Sequence, residues 1–255
     1  MTRKRPSPRR GRGVSVTAAL LVGLAAALAA RVLAASAAPA SARPLVLLVG
    51  DSTTQGVCDG CPPPPAPSPA GALEMLRDRL PAESRWRDLR ATSVGVGGTT
   101  SGDWVAVRPE VCAFAAKGDG RSADLGLRVL ERACGDRIGL ARAARAVVGE
   151  TPALVLVVLG ANDVMNGVAP DEYVRNLRAI ADELAPSPVL IATPFWSPQP
   201  ERKGLAAFAD AARAAGLVTG PDFYDVHLPV DRSRVHLTAG GYAAAAALWL
   251  DKLPP

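Results

Sequence analysis

The chain has 255 residues, and its formal charge of +5 comes from 29 basic and 24 acidic side chains. Residues 1–42 hold seven of the basic side chains and no acidic one, so the remainder carries a charge of −2. The excess of basic charge therefore belongs to the first 42 residues. The charge of the chain gives no argument that residues 43–255 bind nucleic acid. The remaining residues, about 210, are enough for one domain with a full hydrophobic core.

The first 42 residues have the pattern of an export signal. A basic head precedes an uncharged apolar stretch at residues 14–30, and two small-x-small triplets end at Ala37 and Ala42. We favour cleavage near Ala42 over a membrane anchor at residues 14–30, because Arg31 interrupts an apolar stretch that is already short for a bilayer span. In both cases residues 43–255 are expected outside the cytoplasm, either secreted or anchored.

Apolar runs alternate with helical stretches along residues 43–255. The apolar runs that predict strands lie at residues 45–49, 91–96, 153–159, 188–193 and 223–226. The stretches that predict helices lie at residues 70–80, 123–148, 170–184, 205–215 and 239–250. This alternation predicts an α/β fold, with a central parallel sheet of about five strands covered by helices on both faces.

The four cysteines predict disulfides, because an exported chain with an even number of cysteines commonly pairs them. We expect local pairing, Cys58 with Cys61 and Cys112 with Cys134. A redox or zinc role for the first pair fits poorly, since four prolines follow Cys61 where a redox motif would open a helix. The irregular segment 104–136 is then interpreted as a disulfide-braced insertion near the site.

The first predicted strand ends in Gly50, Asp51 and Ser52. A serine just past a buried parallel strand lies at the carboxyl edge of the sheet, where open α/β sheets bind ligands. Ser52 is therefore a candidate nucleophile. The alternative is that Ser52 only caps the helix that follows.

Three further blocks place polar or small residues at predicted strand ends. Gly98 lies in a glycine-rich block whose backbone N–H groups could face an oxyanion, although a tight turn has the same composition. Asn162 could donate its side-chain amide to the same oxyanion, or it could cap a helix. His236 precedes the last predicted helix, for which Thr238 is the natural N-cap. Only His227 and His236 could supply a histidine base at neutral pH.

Together these blocks resemble the SGNH hydrolases, also called the GDSL esterase/lipase family. The resemblance spans roughly residues 44–250 and rests on four blocks in the family's order. They are Gly-Asp-Ser at 50–52, Gly95 and Gly98 with Thr100, Gly-Ala-Asn-Asp at 160–163, and His236-Leu237 with Gly241-Tyr242. Each block alone is weak, and four in order form a specific signal.

The resemblance implies a three-layer α/β/α sandwich of the flavodoxin-like kind and hydrolysis of esters or thioesters without a metal. It implies that Ser52 is the nucleophile and His236 the base. It also implies an oxyanion hole formed by the Ser52 and Gly98 N–H groups and the Asn162 side chain.

The chain departs from the family at the residue that orients the histidine. The family usually has an aspartate three residues before the histidine, and this chain has Ser233 there. Asp231 could substitute by a different loop path, and Asp225 is a more distant candidate. The remaining alternative is a serine–histidine dyad with the imidazole held by a backbone carbonyl. We favour Asp231, then the dyad, then Asp225.

The sequence therefore predicts an exported serine esterase of the lipase or carboxylesterase type, acting through an acyl-serine intermediate. One alternative is an O-deacetylase or O-acyltransferase acting on cell-envelope glycans, and another is a non-catalytic binding domain on the same fold. We expect a monomer with no cofactor, no metal and no nucleic-acid partner. Its substrate is expected to be a small-molecule, lipid or glycan acyl ester, with membrane association only through the N-terminal segment.

Overall fold

A computed structural model describes residues 43–58, 68–115 and 125–255. The export signal predicted in residues 1–42 lies outside these ranges, as does Cys61, so the signal and the pairing of Cys58 with Cys61 stay predictions. Among the described helices, none is both long enough and apolar enough to cross a membrane.

The central sheet has four parallel strands in the order β2-β1-β3-β4. They are β1 (Leu45–Gly50), β2 (Arg90–Gly95), β3 (Leu154–Val158) and β4 (Val189–Ile191). Every residue of β1 and β3 is buried, as expected for continuous apolar strands covered on both faces. The chain runs from β1 to β2 on one side and then crosses to β3 on the other. The carboxyl end of β1 is therefore the topological switch point, where such sheets bind ligands.

Helices occupy the connections between strands. In chain order they are α1 (Ser52–Gln55), α2 (Pro69–Leu76), α3 (Ser101–Val105), α4 (Pro109–Ala115), α5 (Leu125–Asp136), α6 (Leu140–Val148), α7 (Ala161–Met165), α8 (Pro170–Leu184), α9 (Leu205–Ala214), α10 (Phe223–Val226) and α11 (Ala239–Leu250). The predicted bounds of α8 and α11 are confirmed. Proline at the first position of α8 and the Thr238 cap of α11 explain why their starts were readable in the sequence.

The hydrophobic core lies on both faces of the sheet, which confirms the predicted layered α/β architecture. Strand β1 shows how the sequence divides between the layers, since alternate side chains point to opposite faces. Leu47 and Val49 pack in one cluster with residues of α6, α8 and α9. Val46 and Leu48 pack in the other with residues of α2 and α11.

The predicted fifth strand at residues 223–226 is wrong, because this segment forms the short helix α10. Its apolar pattern is incomplete for a central strand: Phe223 is fully buried, whereas Val226 is 46% exposed. Phe223 instead packs in an aromatic group, stacked on Phe195 and edge-on to Trp249. Beyond β4, the described residues extend the sheet by one parallel bridge between Ile191 and Val218.

The prediction of one long helix at residues 123–148 is also wrong, because the helix ends after Asp136 and a second helix begins at Leu140. Arg137 has a left-handed backbone with φ of 57°. Gly139 fits so tightly that a Cβ atom would lie 2.2 Å from the Val105 carbonyl oxygen. The segment 104–136, expected to be irregular, is largely helical in its described part, and a disulfide between Cys112 and Cys134 joins α4 to α5.

Candidate active site

Ser52 begins α1 directly after β1, at the carboxyl edge of the sheet. The preceding Asp51 is the N-cap, and its carboxylate accepts a hydrogen bond of 2.9 Å from the Thr53 N–H. Gly50 makes this sharp turn feasible, since a Cβ atom there would lie 2.1 Å from the Thr54 hydroxyl oxygen and 2.4 Å from the Val158 carbonyl oxygen. Asp51, rather than Ser52, thus caps the helix and leaves the Ser52 hydroxyl available for chemistry.

His236 reaches Ser52 from the loop that precedes α11. Its Nε2 atom lies 3.0 Å from the Ser52 Oγ atom, within hydrogen-bond distance. The loop is held by the Asp231 N–H, which donates to the His236 carbonyl at 2.8 Å, and by a bridge between Val230 and Leu237. A base and a hydroxyl in this arrangement can exchange a proton.

Asp231 and Ser233 lie behind the imidazole. The Asp231 carboxylate is buried, and its Oδ2 atom is 3.9 Å from His236 Nδ1. The Ser233 hydroxyl donates to Asp231 Oδ1 and lies 3.4 Å from His236 Nδ1. The Ser233 oxygen also accepts from the Val235 and His236 backbone N–H groups at 3.2 and 3.3 Å, which use its two lone pairs, so Ser233 holds the Asp231 carboxylate and the histidine loop together behind the imidazole. Sequence analysis noted Ser233 as a departure from the family and missed this bridging position.

Asp225, the third candidate for orienting the histidine, is engaged elsewhere. Its carboxylate forms an ion pair with Arg213 at 2.9 Å, and its side chain is 66% exposed. Arg213 also bonds Asp222 through two nitrogens at 2.7 Å each, so the three side chains form one surface cluster.

The loop that carries Gly98 and the start of α7, which carries Asn162, lie beside Asp51 and Ser52 at the same sheet edge. The neighbouring Gly97 faces Ser52, since a Cβ atom there would lie 3.6 Å from the Ser52 Cβ atom. Gly98 has φ of +76° and open space around it. The Asn162 amide donates to the Thr99 carbonyl at 3.0 Å and lies 3.5 Å from Asp51 Oδ2. The loop after β2 and the start of α7 are therefore joined beside the serine.

A buried network behind these groups was missed by sequence analysis. The Asp163 carboxylate accepts from the Ser101 N–H at 3.0 Å and from the Ser101 hydroxyl. Asp103 accepts from the Thr100 N–H and hydroxyl at 2.8 and 2.9 Å and pairs with Arg108. The network holds the loop after β2 against α7. Its sequence signal is the capping box formed by Thr100 and Asp103.

Burial controls the electrostatics of the carboxylates in this region. It raises the pKa of Asp51 to about 6, and hydrogen bonding from Thr53 and the charge of Arg202 only partly oppose it. Burial also raises the pKa of Asp163, against the hydrogen bonds from Ser101. In the described part of the chain, no group of three or more His, Cys, Asp or Glu side chains is arranged to hold a metal ion.

Comparison with known proteins gives a family match and a structural likeness. The model of the GDSL-like lipase/acylhydrolase family matches residues 48–244. The fold is similar to that of a catalytic mutant of Axe2, an acetylxylan esterase from Geobacillus stearothermophilus (18% identity, TM-score 0.51, 82% of this chain and 93% of that chain). It is also similar to the lipase/acylhydrolase from Enterococcus faecalis (17% identity, TM-score 0.52, 82% of this chain and 94% of that chain). No curated protein matches this chain.

The chain therefore belongs to the GDSL-like lipase/acylhydrolase family, because the family model covers most of its length. The family expected from the four blocks is confirmed, and the chain is a hydrolase acting on ester bonds. At this level of identity the structural likeness concerns the fold, an α/β architecture with a parallel sheet between helices.

Proposed function

We propose that this protein is an exported serine esterase in which Ser52 attacks the acyl carbon of an ester and His236 acts as the base. The observation that carries the proposal is the 3.0 Å contact between Ser52 Oγ and His236 Nε2. A serine hydroxyl is a weak nucleophile until a base takes its proton, and this contact places the His236 imidazole where it can act as that base. Export rests on the pattern of residues 1–42.

The reaction has two halves. In the first, the Ser52 proton passes to His236 Nε2 while Oγ bonds the acyl carbon. The bond from that carbon to the alcohol oxygen then breaks, and the alcohol leaves with the proton from His236. In the second, His236 takes a proton from water, whose oxygen attacks the acyl-serine. Collapse of this adduct releases the carboxylic acid and returns the proton to Ser52.

Charge develops on the former carbonyl oxygen in both halves. The Ser52 and Gly98 N–H groups and the Asn162 amide are our proposed donors to it. The approach of the neighbouring Gly97 to Ser52 and the hydrogen bond that ties Asn162 to the Thr99 carbonyl of the same loop support this assignment. Loss of one such donor typically raises the barrier by about 3 kcal/mol.

Asp231 is our proposed orienting acid, and Ser233 holds its carboxylate behind the imidazole. The 3.9 Å separation from His236 Nδ1 is long for a direct hydrogen bond, whereas Ser233 contacts both groups. The Ser233 hydroxyl and backbone N–H would hold the carboxylate behind the imidazole, where its charge acts on the ring. The buried carboxylate would also stabilise the imidazolium formed during the reaction.

Turnover of 4-nitrophenyl acetate and butyrate tests the proposal. The wild type should release 4-nitrophenol, and Ser52→Ala should lower kcat by a factor of about 1,000 or more. Ser187→Ala is the matched control, because it makes the same change at the opposite end of the sheet, just before β4. Equal rates in wild type and Ser52→Ala, or no turnover by the wild type across a panel of acyl esters, would refute it.

A further inference from the structure

Arg202 is a buried arginine whose guanidinium has no hydrogen-bonded or ion-paired partner within the described ranges of the chain. It ends the 3-10 turn Pro200–Arg202, and 9% of the residue is exposed. Its Nε atom is fully buried and has no hydrogen-bond partner. Among the described residues, no carboxylate lies within ion-pair distance of its guanidinium, in contrast to Arg108 and Arg213.

A guanidinium in this condition is costly to the fold. Removal of a charge from water is unfavourable unless a partner or several hydrogen bonds replace the lost hydration. Burial accordingly lowers the pKa of Arg202, although the charge of Asp51 opposes the shift. A buried cation with unused hydrogen-bond donors is best explained where a ligand supplies the acceptors that the protein lacks.

The loop that carries Arg202 touches both halves of the catalytic arrangement. On one side the turn packs against α7, which bears Asn162, and a Cβ atom on Gly204 would lie 2.5 Å from the Val164 side chain. On the other side, Ser197 and Gln199 donate to carbonyl groups of the histidine loop at 2.8 Å each. Arg202 therefore belongs to the wall that joins the Asn162 and His236 elements.

The acids near this wall leave the Arg202 charge unmatched. Asp51 is close enough for the Arg202 charge to lower its pKa, but its carboxylate is bonded to Thr53 and lies beside Asn162. Residues 194–204 and 228–237 together carry four Lys or Arg side chains and two acidic ones. One of those acids, Asp231, is buried and bonded to Ser233. The wall thus has an excess of positive charge.

We propose that Arg202 binds an anionic oxygen group, a carboxylate or a phosphate, carried by the ester substrate. The substrate class is then an anionic acyl ester, and Arg202 is a specificity residue for it. A planar guanidinium with several unused N–H donors matches both groups through paired hydrogen bonds. This inference rests on the proposed esterase function.

Matched ester pairs test the inference at constant ionic strength. The alcohol side is probed with 4-acetoxybenzoate and 4-acetoxyphenyl phosphate against neutral 4-acetoxybenzamide. The acyl side is probed with the 4-nitrophenyl hemiester of adipate, whose carboxylate is too distant for ready anhydride formation, against 4-nitrophenyl hexanoate. Each kcat/KM is divided by the rate of hydroxide hydrolysis, which removes differences in intrinsic reactivity.

The wild type should favour at least one anionic probe over its neutral partner, and the preferred probe identifies carboxylate or phosphate. Arg202→Gln should lower that preference by about 10- to 100-fold, the usual worth of a charged hydrogen bond or a pair of them. Arg202→Lys keeps the charge but loses the planar guanidinium, so its preference for the anionic probe should lie between those of the wild type and Arg202→Gln. Lys203→Gln removes an exposed charge one residue away and should keep the wild-type preference.

Two results would overturn the inference. One is a wild type that hydrolyses every probe without favouring any anion, a result that needs no variant and leaves the esterase proposal standing. The other is an anion preference that survives in folded Arg202→Gln or is lost equally in Lys203→Gln. Failure of the esterase itself would appear differently, as no turnover of any probe.

Discussion

Ser233 stands where the family usually carries the acid that orients the histidine. Its hydroxyl contacts both Asp231 and His236, and its backbone N–H also donates to Asp231 at 2.9 Å. In our proposal the orienting acid lies two residues nearer the N-terminus, and Ser233 at the family's usual position holds its carboxylate in place. From the sequence alone, serine in place of the family's aspartate suggests that the orienting acid has been lost. The contacts of Asp231 instead support our proposal that the acid stands at a different position.

Substitution of Asp231 should separate this arrangement from a serine–histidine dyad. Asp231→Asn should lower kcat about 100-fold or more, because the amide cannot stabilise the imidazolium. Ser233→Ala should cost about tenfold, since the direct 3.9 Å approach of Asp231 to the imidazole would persist. The measurement is kcat across pH 5–9 with 4-nitrophenyl butyrate, together with the midpoint of thermal unfolding.

Asp225→Asn is the control for that series, because Asp225 pairs with Arg213 at the surface. It should keep the wild-type kcat. A normal kcat in Asp231→Asn would leave the serine–histidine dyad as the remaining explanation. A large loss of kcat in Asp225→Asn would mean that Asp225, and not Asp231, orients the histidine.

At the scale of helices and strands, the sequence was most informative where a short local pattern determines the structure without help from tertiary contacts. Continuous apolar runs revealed β1 and β3, and a proline and a threonine cap marked the starts of α8 and α11. The positions of Ser52, Asn162 and His236 at strand or helix ends followed from these elements. Their roles in catalysis are proposals that the geometry supports.

Tertiary packing decided the elements that sequence analysis missed. Residues 223–226 have strand-like composition, but Phe223 is drawn into the aromatic group with Phe195 and Trp249, and the segment becomes helical. The break before α6 depends on the close approach of Gly139 to the Val105 carbonyl. The hydrogen bonds from Ser101 to Asp163 join segments far apart in the chain, so no local pattern reports them.

At the scale of the whole molecule, the active-site edge reduces the stability of the fold at neutral pH. Burial raises the pKa of Asp51 to about 6 from its ordinary value of 3.8. Between these values the native state binds a proton that the unfolded chain has released. The contribution of Asp51 to stability is therefore most favourable at low pH, and it becomes a penalty as the pH rises through 6.

Asp51→Asn should remove this penalty, because asparagine can still cap α1 and does not titrate. From pH 4 to pH 7.5, the unfolding free energy of the wild type should fall relative to that of Asp51→Asn by roughly 2 kcal/mol. Urea unfolding at the two pH values measures the difference. Parallel pH profiles for the two proteins would contradict the assignment of a proton to buried Asp51.

The central claim is that Ser52 is the nucleophile and that His236 activates it. Its most direct test is reaction with a fluorophosphonate probe, followed by mass spectrometry of the labelled peptide. The wild type should carry one label on Ser52, His236→Ala should react about 100-fold more slowly or worse, and Ser52→Ala should not react. A label on another residue, or labelling of His236→Ala at the wild-type rate, would contradict the claim.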